Sequence, residues 1–347
     1  MPLSLRTHVL TDIRGYARFV EDRGDDDGRK LMRAYERIVR TALPRKSVEV
    51  DHIGDAFHLV FAVPTQAVRT AVTIAEAVVR HNEGHAELQL PVGFGVDAGQ
   101  SIRHGSQYQG SAPYLASRLA SRAQPGQILV SEAVFALLKG TKVGPIRDLG
   151  VWKPSGGQAV HMYEARAADP QADGSGQAER FLTALLFEDI VGSTAMSANV
   201  GDRRWGQLVE QHHAIIRDEL RRHRGMEIDT AGDGFYAAFD APSRAIECAL
   251  EIRDRVRLIG IDIRAGIHAG ECEVVAGKIA GMTVTIGARV GAQAGPGDVL
   301  VSSTVKEFLV GGAHTFRDRG RFVLKGVPGD WALYSVDRPA SRDEPVR

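Results

Sequence analysis

The sequence predicts an α+β protein made of two tandem ferredoxin-like units, and three features predict it: a long internal repeat, a recurring order of elements, and a polar joint. The chain has 347 residues, enough for two domains that each bury a core. AQPGQILVSEAV from Ala123 returns as AGPGDVLVSSTV from Ala294, and LASRLASRA from Leu115 returns as IGARVGAQA from Ile286 at the same offset. HVLTDIRGYA from His8 returns as LLFEDIVGST from Leu185 at a slightly larger offset. VEVDHIGDAFHLVF from Val48 returns as MEIDTAGDGFYAAF from Met226, at nearly that same spacing. A small drift in offset is what loops absorb, and a period of half the chain means a duplicated domain rather than a solenoid. The joint ARAADPQADGSGQAER (165–180) lacks aromatics and has the composition of a flexible linker. The expected divisions are a first domain over 1–166, a linker over 167–178, a second domain over 179–338 and a loose tail over 339–347.

The elements of the second half can be justified in order. TALLFED is an apolar run suited to a buried strand. Trp205 to Arg222 has helical spacing and Arg-rich ends. MEID and FYAAF flank the turn Ala231-Gly232-Asp233-Gly234 and read as a hairpin. Ser243 to Val256 is a second amphipathic helix, and IDIRAGIHAG a further strand. Two βαβ crossovers sharing one antiparallel sheet give the ferredoxin-like βαββαβ core. Extra strands are expected around Val299–Ser302, Phe322–Leu324 and Trp331–Val336.

Composition narrows the function. Apolar residues make up 44% and charged residues 25%, with 43 Lys plus Arg against 43 Asp plus Glu. Such a balance offers no electrostatic case for nucleic acid or a polyanionic surface as partner. The only cysteines, Cys248 and Cys272, form no CxxC and no disulfide framework. No stretch approaches the length of an apolar membrane span, and MPLSLRTH lacks an apolar signal core. A cytoplasmic protein with no membrane partner is the expectation.

Carboxylates carry the chemical signal. Asp189 follows the apolar strand and precedes Ile-Val-Gly-Ser-Thr, and Asp233 lies in the hairpin turn. Asp12 and Asp55 repeat the arrangement in the first half. An aspartate at a strand end and another in an adjacent hairpin can converge on a hard cation such as Mg²⁺. The small residues Gly192, Ser193 and Thr194 can offer backbone N–H groups to phosphate oxygens at a helix start. Either aspartate alone is more often a cap or turn residue. Two matched pairs, each behind the same kind of strand, favour metal binding.

The sequence resembles the class III nucleotidyl cyclases. FEDIVGST (187–194), TAGDGFYAAF (230–239), RAGIHAGE (264–271), TVTIGARV (283–290), AGPGDVLVS (294–302) and LKGVPGDWALY (324–334) carry the resemblance, and their order makes it specific. TDIRGYA, HIGDAFHLVF and SAPYLASRLA extend it more weakly over the first half. The resemblance implies two catalytic domains pairing head to tail, with sites formed from both and two Mg²⁺ or Mn²⁺ ions per active site. Here the halves would form an intramolecular pseudo-dimer, or a homodimer by domain exchange. One implied site joins metal positions Asp12, Ile13 and Asp55 to Asp229, Lys278, Thr285, Arg289 and Lys325. The other joins Asp189, Ile190 and Asp233 to Asp51, Gln107, Tyr114, Arg118 and Lys153, although the spacing around Lys153 departs from LKG. The implied reaction is in-line attack of the ribose 3′-OH on the α-phosphorus of a nucleoside triphosphate, expelling pyrophosphate. Arg118 or Arg289 would stabilise charge growing on the α-phosphate, Tyr114 or Thr285 would reach the ribose, and the lysines would hold the terminal phosphates.

Departures from the family pattern bear on the base. Adenylate cyclases of this class normally carry Lys where this chain has Asp51 and Asp229. They carry Asp, Thr or Ser where it has Gln107 and Lys278. An acceptor thus faces the ring position and a donor the exocyclic one, the reverse of what adenine, with its N1 acceptor and N6 donor, requires. Guanine and uracil satisfy that polarity. Tyr114, in place of a small Asn, and Met282 near the base-facing strand add bulk that suits a pyrimidine. UTP therefore stands ahead of GTP, and the resemblance, which takes in bacterial uridylate cyclases, allows cUMP serving anti-phage signalling as product and role. An adenylate cyclase making cAMP, an inactive nucleotide-binding pseudo-cyclase in which Asp229 and Lys278 close a dead site, and an interaction module are the alternatives. The presence of Asp12, Asp55, Asp189, Asp233, Arg118 and Arg289 favours the enzyme. The conventional Gly192-Ser193-Thr194, against Gly15-Tyr16-Ala17 after Asp12, favours the site containing Asp189. Asp25-Asp26-Asp27 is expected to support a helix start, and His212, His213 and His268 lack zinc-like spacing with cysteine.

Overall fold

A computed structural model describes residues 3–44, 48–53, 56–105, 107–139, 141, 143–153, 158–167, 180–275, 278–310 and 312–337. The expected linker from residue 168 on, the tail, and the metal candidate Asp55 lie outside the described residues. The chain divides into two compact units, Met1–Gln177 and Ala178–Arg347.

The first unit runs β1 (Leu3–Ile13), α1 (Tyr16–Arg23), α2 (Asp25–Ala42), β2 (Val48–Ile53), β3 (Ala56–Phe61) and α3 (Pro64–Gly84), then β4 (Val92–His104), β5 (Gln107–Gln109) and α4 (Ser111–Arg122). It closes with β6 (Ile128–Ser131), α5 (Glu132–Leu138), β7 (Ile146–Trp152) and β8 (Val160–Ala165). The second unit repeats this as β9 (Arg180–Ile190), α6 (Ser193–Val200), α7 (Asp202–Arg222), β10 (Met226–Ala231), β11 (Gly234–Phe239), α8 (Pro242–Arg257), β12 (Ile263–Val275), β13 (Lys278–Ala280) and α9 (Met282–Ala292). It ends with β14 (Val299–Ser302), α10 (Ser303–Phe308), β15 (Thr315–Val323) and β16 (Asp330–Asp337).

Each unit carries one eight-stranded sheet. The orders are β2-β3-β1-β4-β6-β8-β7 and β10-β11-β9-β12-β14-β16-β15, with β5 on β4 and β13 on β12. The first four strands of each order form the ferredoxin-like core in antiparallel register, as the element pattern predicts. The strand expected near Phe322–Leu324 is the end of the longer β15, and Leu324 lies just past it, buried. Helix α7 begins at Asp202, earlier than Trp205, because Gly201 at φ 77° breaks from α6 and Asp202 opens the first turn. Asp25, Asp26 and Asp27 form the first turn of α2, as expected.

Strand alternation sorts the side chains. In β1, Leu10 packs on Ala116 and Ala120 of α4, while Thr11, on the opposite face, meets the β3 and α2 side through Phe57 and the buried Tyr35. Helices α4 and α9 approach the sheet closely through glycine. A Cβ at Gly95 would overlap the backbone of Ala116 and Ala120, and one at Gly266 the backbone of Gly291. These two contacts fix the height of the helices that carry Arg118 and Arg289.

Candidate active site

The acidic residues of the second unit collect at the end of β9. Asp189 is its penultimate residue, and Phe235 of β11 pairs in register with Glu188. That register brings the turn holding Asp233 alongside the β9 terminus. Gly232 there sits at φ 66°, in the left-handed region a tight hairpin requires. Asp189 is partly exposed, and its Oδ2 accepts two hydrogen bonds from Arg264 on β12, at 2.5 and 3.2 Å. Asp233 Oδ2 is buried and has no hydrogen-bond partner. An orphaned carboxylate oxygen of this kind costs about 1–3 kcal/mol, and a hard cation with oxygen ligands would satisfy it. The pair could therefore hold Mg²⁺ or Mn²⁺ with the Ile190 backbone nearby. Among the described residues no group of three or more His, Cys, Asp or Glu gathers as a metal cage, so remaining ligands would come from backbone, water or substrate.

After Asp189 the chain turns through Gly192, at φ 67°, into α6, and Ser193 and Thr194 are its first residues. The predicted helix start behind the aspartate is present, with its N–H groups uncapped by any side chain. In the first unit Gly15, at φ 70°, does the same for α1. There Asp12 pairs with Arg14, the second residue along the chain from it, at 3.1 Å, with Ile13 buried between them. Arg14 also donates to the carbonyls of Ala120 and Ala123 at the end of α4.

The arginines expected to stabilise the α-phosphate lie on α4 and α9. Arg118 lies one turn beyond Tyr114, with its guanidinium 5.5 Å from the phenol ring centre. Tyr114 is 59% exposed, and Thr285 and Arg289 are exposed on α9. Arg289 Nε donates to the Lys325 carbonyl at 3.2 Å, so the arginine and lysine predicted to grip phosphates are brought together. Lys153, just past β7, is exposed; in its unit the neighbouring contact is Arg122 over Trp152 at 5.0 Å.

Of the residues expected to face the base, Asp51 lies on β2 directly opposite His58, and Gln107 opens β5. Asp229 on β10 faces Tyr236 in register, and its Oδ1 accepts from Thr230 N at 2.9 Å. Lys278 opens β13, and its side chain lies outside the described residues. Met282 begins α9 and is 53% exposed.

Several groups beside these positions escaped the sequence. Arg264 on Asp189 is one. His8 and His58, both buried, bond each other Nδ1 to Nε2 at 2.9 Å, and His8 Nε2 lies 3.2 Å from Ser101 Oγ. Burial holds both imidazoles below the usual histidine range, partly offset at His58 by Asp51. Glu188 and His212 form a buried pair at 2.9 Å directly behind Asp189. Comparing the two repeats position by position, rather than motif by motif, would have exposed all three sets.

The model of the adenylate and guanylate cyclase catalytic domain matches the chain twice, over residues 7–163 and 182–338. The chain belongs to this class III cyclase family, a family of phosphorus–oxygen lyases. It is 29% identical over 197 residues to a pH-sensitive adenylate cyclase of Mycobacterium tuberculosis, covering 53% of this chain and 48% of that one. It is 32% identical over 130 residues to an uncharacterized protein of the same species, covering 35% and 24%. The chain thus spans less than half the length of these curated relatives. Among solved structures, the adenylyl cyclase CyaB of P. aeruginosa matches with TM-score 0.45 and 19% identity over 49% of this chain and all of that one. The adenylate/guanylate cyclase/hydrolase of Silicibacter pomeroyi matches with TM-score 0.42 and 28% identity over 47% and 100%. Among the described residues no helix is long and apolar enough to cross a membrane.

Proposed function

We propose that the chain is a nucleotidyl cyclase that converts a nucleoside triphosphate to its 3′,5′-cyclic nucleotide and pyrophosphate, with UTP ahead of GTP. The observation that carries this is Asp189 at a strand end with Asp233 in the adjoining turn, one buried oxygen of the latter unsatisfied. Bound Mg²⁺ or Mn²⁺ would activate the 3′-hydroxyl and neutralise the leaving pyrophosphate. In this reading the two units pair head to tail, so that Asp189 and Asp233 serve a triphosphate held by Asp51, Gln107, Tyr114 and Arg118. Ser193 and Thr194 offer backbone N–H groups to phosphate oxygens. Arg118 stabilises charge growing on the α-phosphate, and the adjacent Tyr114 hydroxyl orients the ribose. Asp51 accepts from a ring N–H and the Gln107 amide donates to an exocyclic oxygen, the polarity of uracil and guanine. Bulk at Tyr114 favours the pyrimidine. The site of Asp12, Asp55, Asp229, Lys278, Thr285, Arg289 and Lys325 is secondary.

We read a second-messenger product such as cUMP, with a role in anti-phage signalling, as one that the family resemblance allows. ATP is the competing substrate, favoured by the relative named as an adenylate cyclase. The deciding experiment incubates the full chain with each of the four NTPs and Mn²⁺ and identifies products by mass spectrometry. Cyclic UMP is expected, with cyclic GMP next. Cyclic AMP alone would overturn the polarity argument, and no product from any NTP would leave a nucleotide-binding pseudo-cyclase.

A further inference from the structure

The residue before each strand-end aspartate differs between the units in a way the fold does not require. In the first unit it is Thr11, whose Oγ1 accepts the Phe57 N–H at 2.9 Å. The helix position that meets it is Tyr35, fully buried and edge-on to Phe57 at 5.2 Å. At the equivalent places of the repeat the second unit has Glu188 and His212, 4% and 0% exposed. His212 Nε2 and Glu188 Oε1 share a hydrogen bond of 2.9 Å.

Burying an acid beside an imidazole is an expensive way to fill space, and a neutral pair of similar size does as well for stability. The first unit shows that neutral solution within the same fold. In the second unit Glu188 Oε2 and His212 Nδ1 remain buried without partners, as does Asp233 Oδ2. Glu188 adjoins Asp189 in β9 and pairs in register with Phe235, two residues after Asp233. The neighbouring His213 lies edge-on to Phe235, two residues after Asp233, at 5.7 Å. The pair thus clamps α7 to the β9 terminus while its neighbour packs on the strand that leaves the hairpin turn.

We propose that Glu188 and His212 are positioning residues for divalent-cation binding: they hold the ends of β9 and the 231–234 turn in register and place a third carboxylate behind Asp189 and Asp233. The role rests on the metal reading of those two aspartates. It makes the acidic pair of the second unit the tighter cation site of the chain.

The test measures Mn²⁺ binding to the full-length protein without nucleotide, by the electron paramagnetic resonance of free Mn²⁺, alongside the Mn²⁺ dependence of turnover. The double variant E188T/H212Y installs the residues the first unit already packs in this place, and E188Q keeps the side-chain volume if the double variant fails to fold. Either should weaken Mn²⁺ binding, the double variant by about tenfold or more. Half-maximal activity should shift to higher Mn²⁺ by a similar factor, while turnover at saturating Mn²⁺ changes much less. D189N is the control and should abolish the tight Mn²⁺ site. Unchanged Mn²⁺ affinity in E188T/H212Y or E188Q, with D189N still abolishing the site, would overturn the positioning role alone. Retention of the tight site in D189N would overturn the metal reading and the positioning role with it.

Discussion

The two units share one topology and differ in where they bury polarity. In the first, His8, His58 and Ser101 form a buried chain behind Asp51, with Tyr108 edge-on to His8 at 5.5 Å. The second fills the equivalent places with Leu185, Tyr236, Cys272 and Ile279, a largely apolar cluster in which Phe187 stacks on Tyr236 at 4.5 Å. At the aspartate end the contrast reverses: Thr11 and Tyr35 in the first unit, Glu188 and His212 in the second. One further position swaps an acid for a base on the same serine, Asp97 with Ser131 at 2.5 Å against His268 with Ser302 at 2.7 Å. A buried polar group without a structural need marks a place where the repeat has specialised. By that criterion the first unit has specialised behind the strand holding Asp51 and the second behind the turn holding Asp233. Those are the halves that the proposed working site draws from each unit.

The largest effect that could break this division is on turnover. Asp189→Ala should lower kcat by at least about a hundredfold, whereas Asp12→Ala should change it by less than about threefold. Product quantification on the two purified variants decides, and equal losses would mean that both acidic pairs work. Next come the glycines the units share. Gly266→Ala and Gly95→Ala each drive a methyl into backbone and should cost about 1–3 kcal/mol or more, read as a fall in urea midpoint. Unequal losses would show that one helix seat is looser than the other.

His8→Leu alone should cost about 1–3 kcal/mol, because it strands His58. His8→Leu with His58→Tyr, which copies the second unit, should recover much of that in equilibrium denaturation. The acid response sharpens the same contrast. His8 and His58 are held low by burial, so the stability they confer is fully present above the unfolded histidine value of about 6.5. It is lost as pH falls toward their folded values, by up to about 1.4 kcal/mol per pH unit for each proton. His268, pushed down to about 3, acts in the same sense in the second unit. The His8→Leu/His58→Tyr variant should therefore lose stability more slowly than the parent as pH falls from about 6.5 to about 4, and parallel curves would break the assignment. The smallest effect is at the surface. Arg217 spans α7 to Glu227 on β10 through two 2.9 Å hydrogen bonds, while Arg40, at the matching place, pairs with Glu36 on its own helix at 2.8 Å. Arg217→Ala should cost up to about 1 kcal/mol and Arg40→Ala about 0.3–0.5 kcal/mol, both read in the same denaturation experiment.

Much of this fold was legible because its signals are local. The apolar run of β9, the AGDG turn and the spacing of α8 each speak within a few turns of chain, and the repeat told which coincidences to believe. The strand-end Asp189, the turn Asp233 and the glycine entering α6 fell where their motifs put them. The pairing of Arg289 with the Lys325 loop links residues that the family pattern alone had grouped. What stayed hidden depends on contacts across the chain. Glu188 in an otherwise apolar strand looks like one more solvated acid until His212, from the middle of a separate helix, is found against it. His8 and His58 sit on separate strands, and nothing in the spacing of either announces a partner. The short β5 and β13 have too few residues for periodicity, and Arg264 occupies a strand position whose counterpart is Gly93.

The bare contact between Gly266 and Gly291, and its twin at Gly95, has a consequence for how such a protein can change over time. A helix resting on backbone has no side-chain cushion to thicken or thin, so α9 and α4 cannot be raised or lowered by small steps. Any drift toward a new substrate must instead come from exchanging the side chains they display, as Tyr114 and Thr285, which differ on an otherwise repeated scaffold, already illustrate.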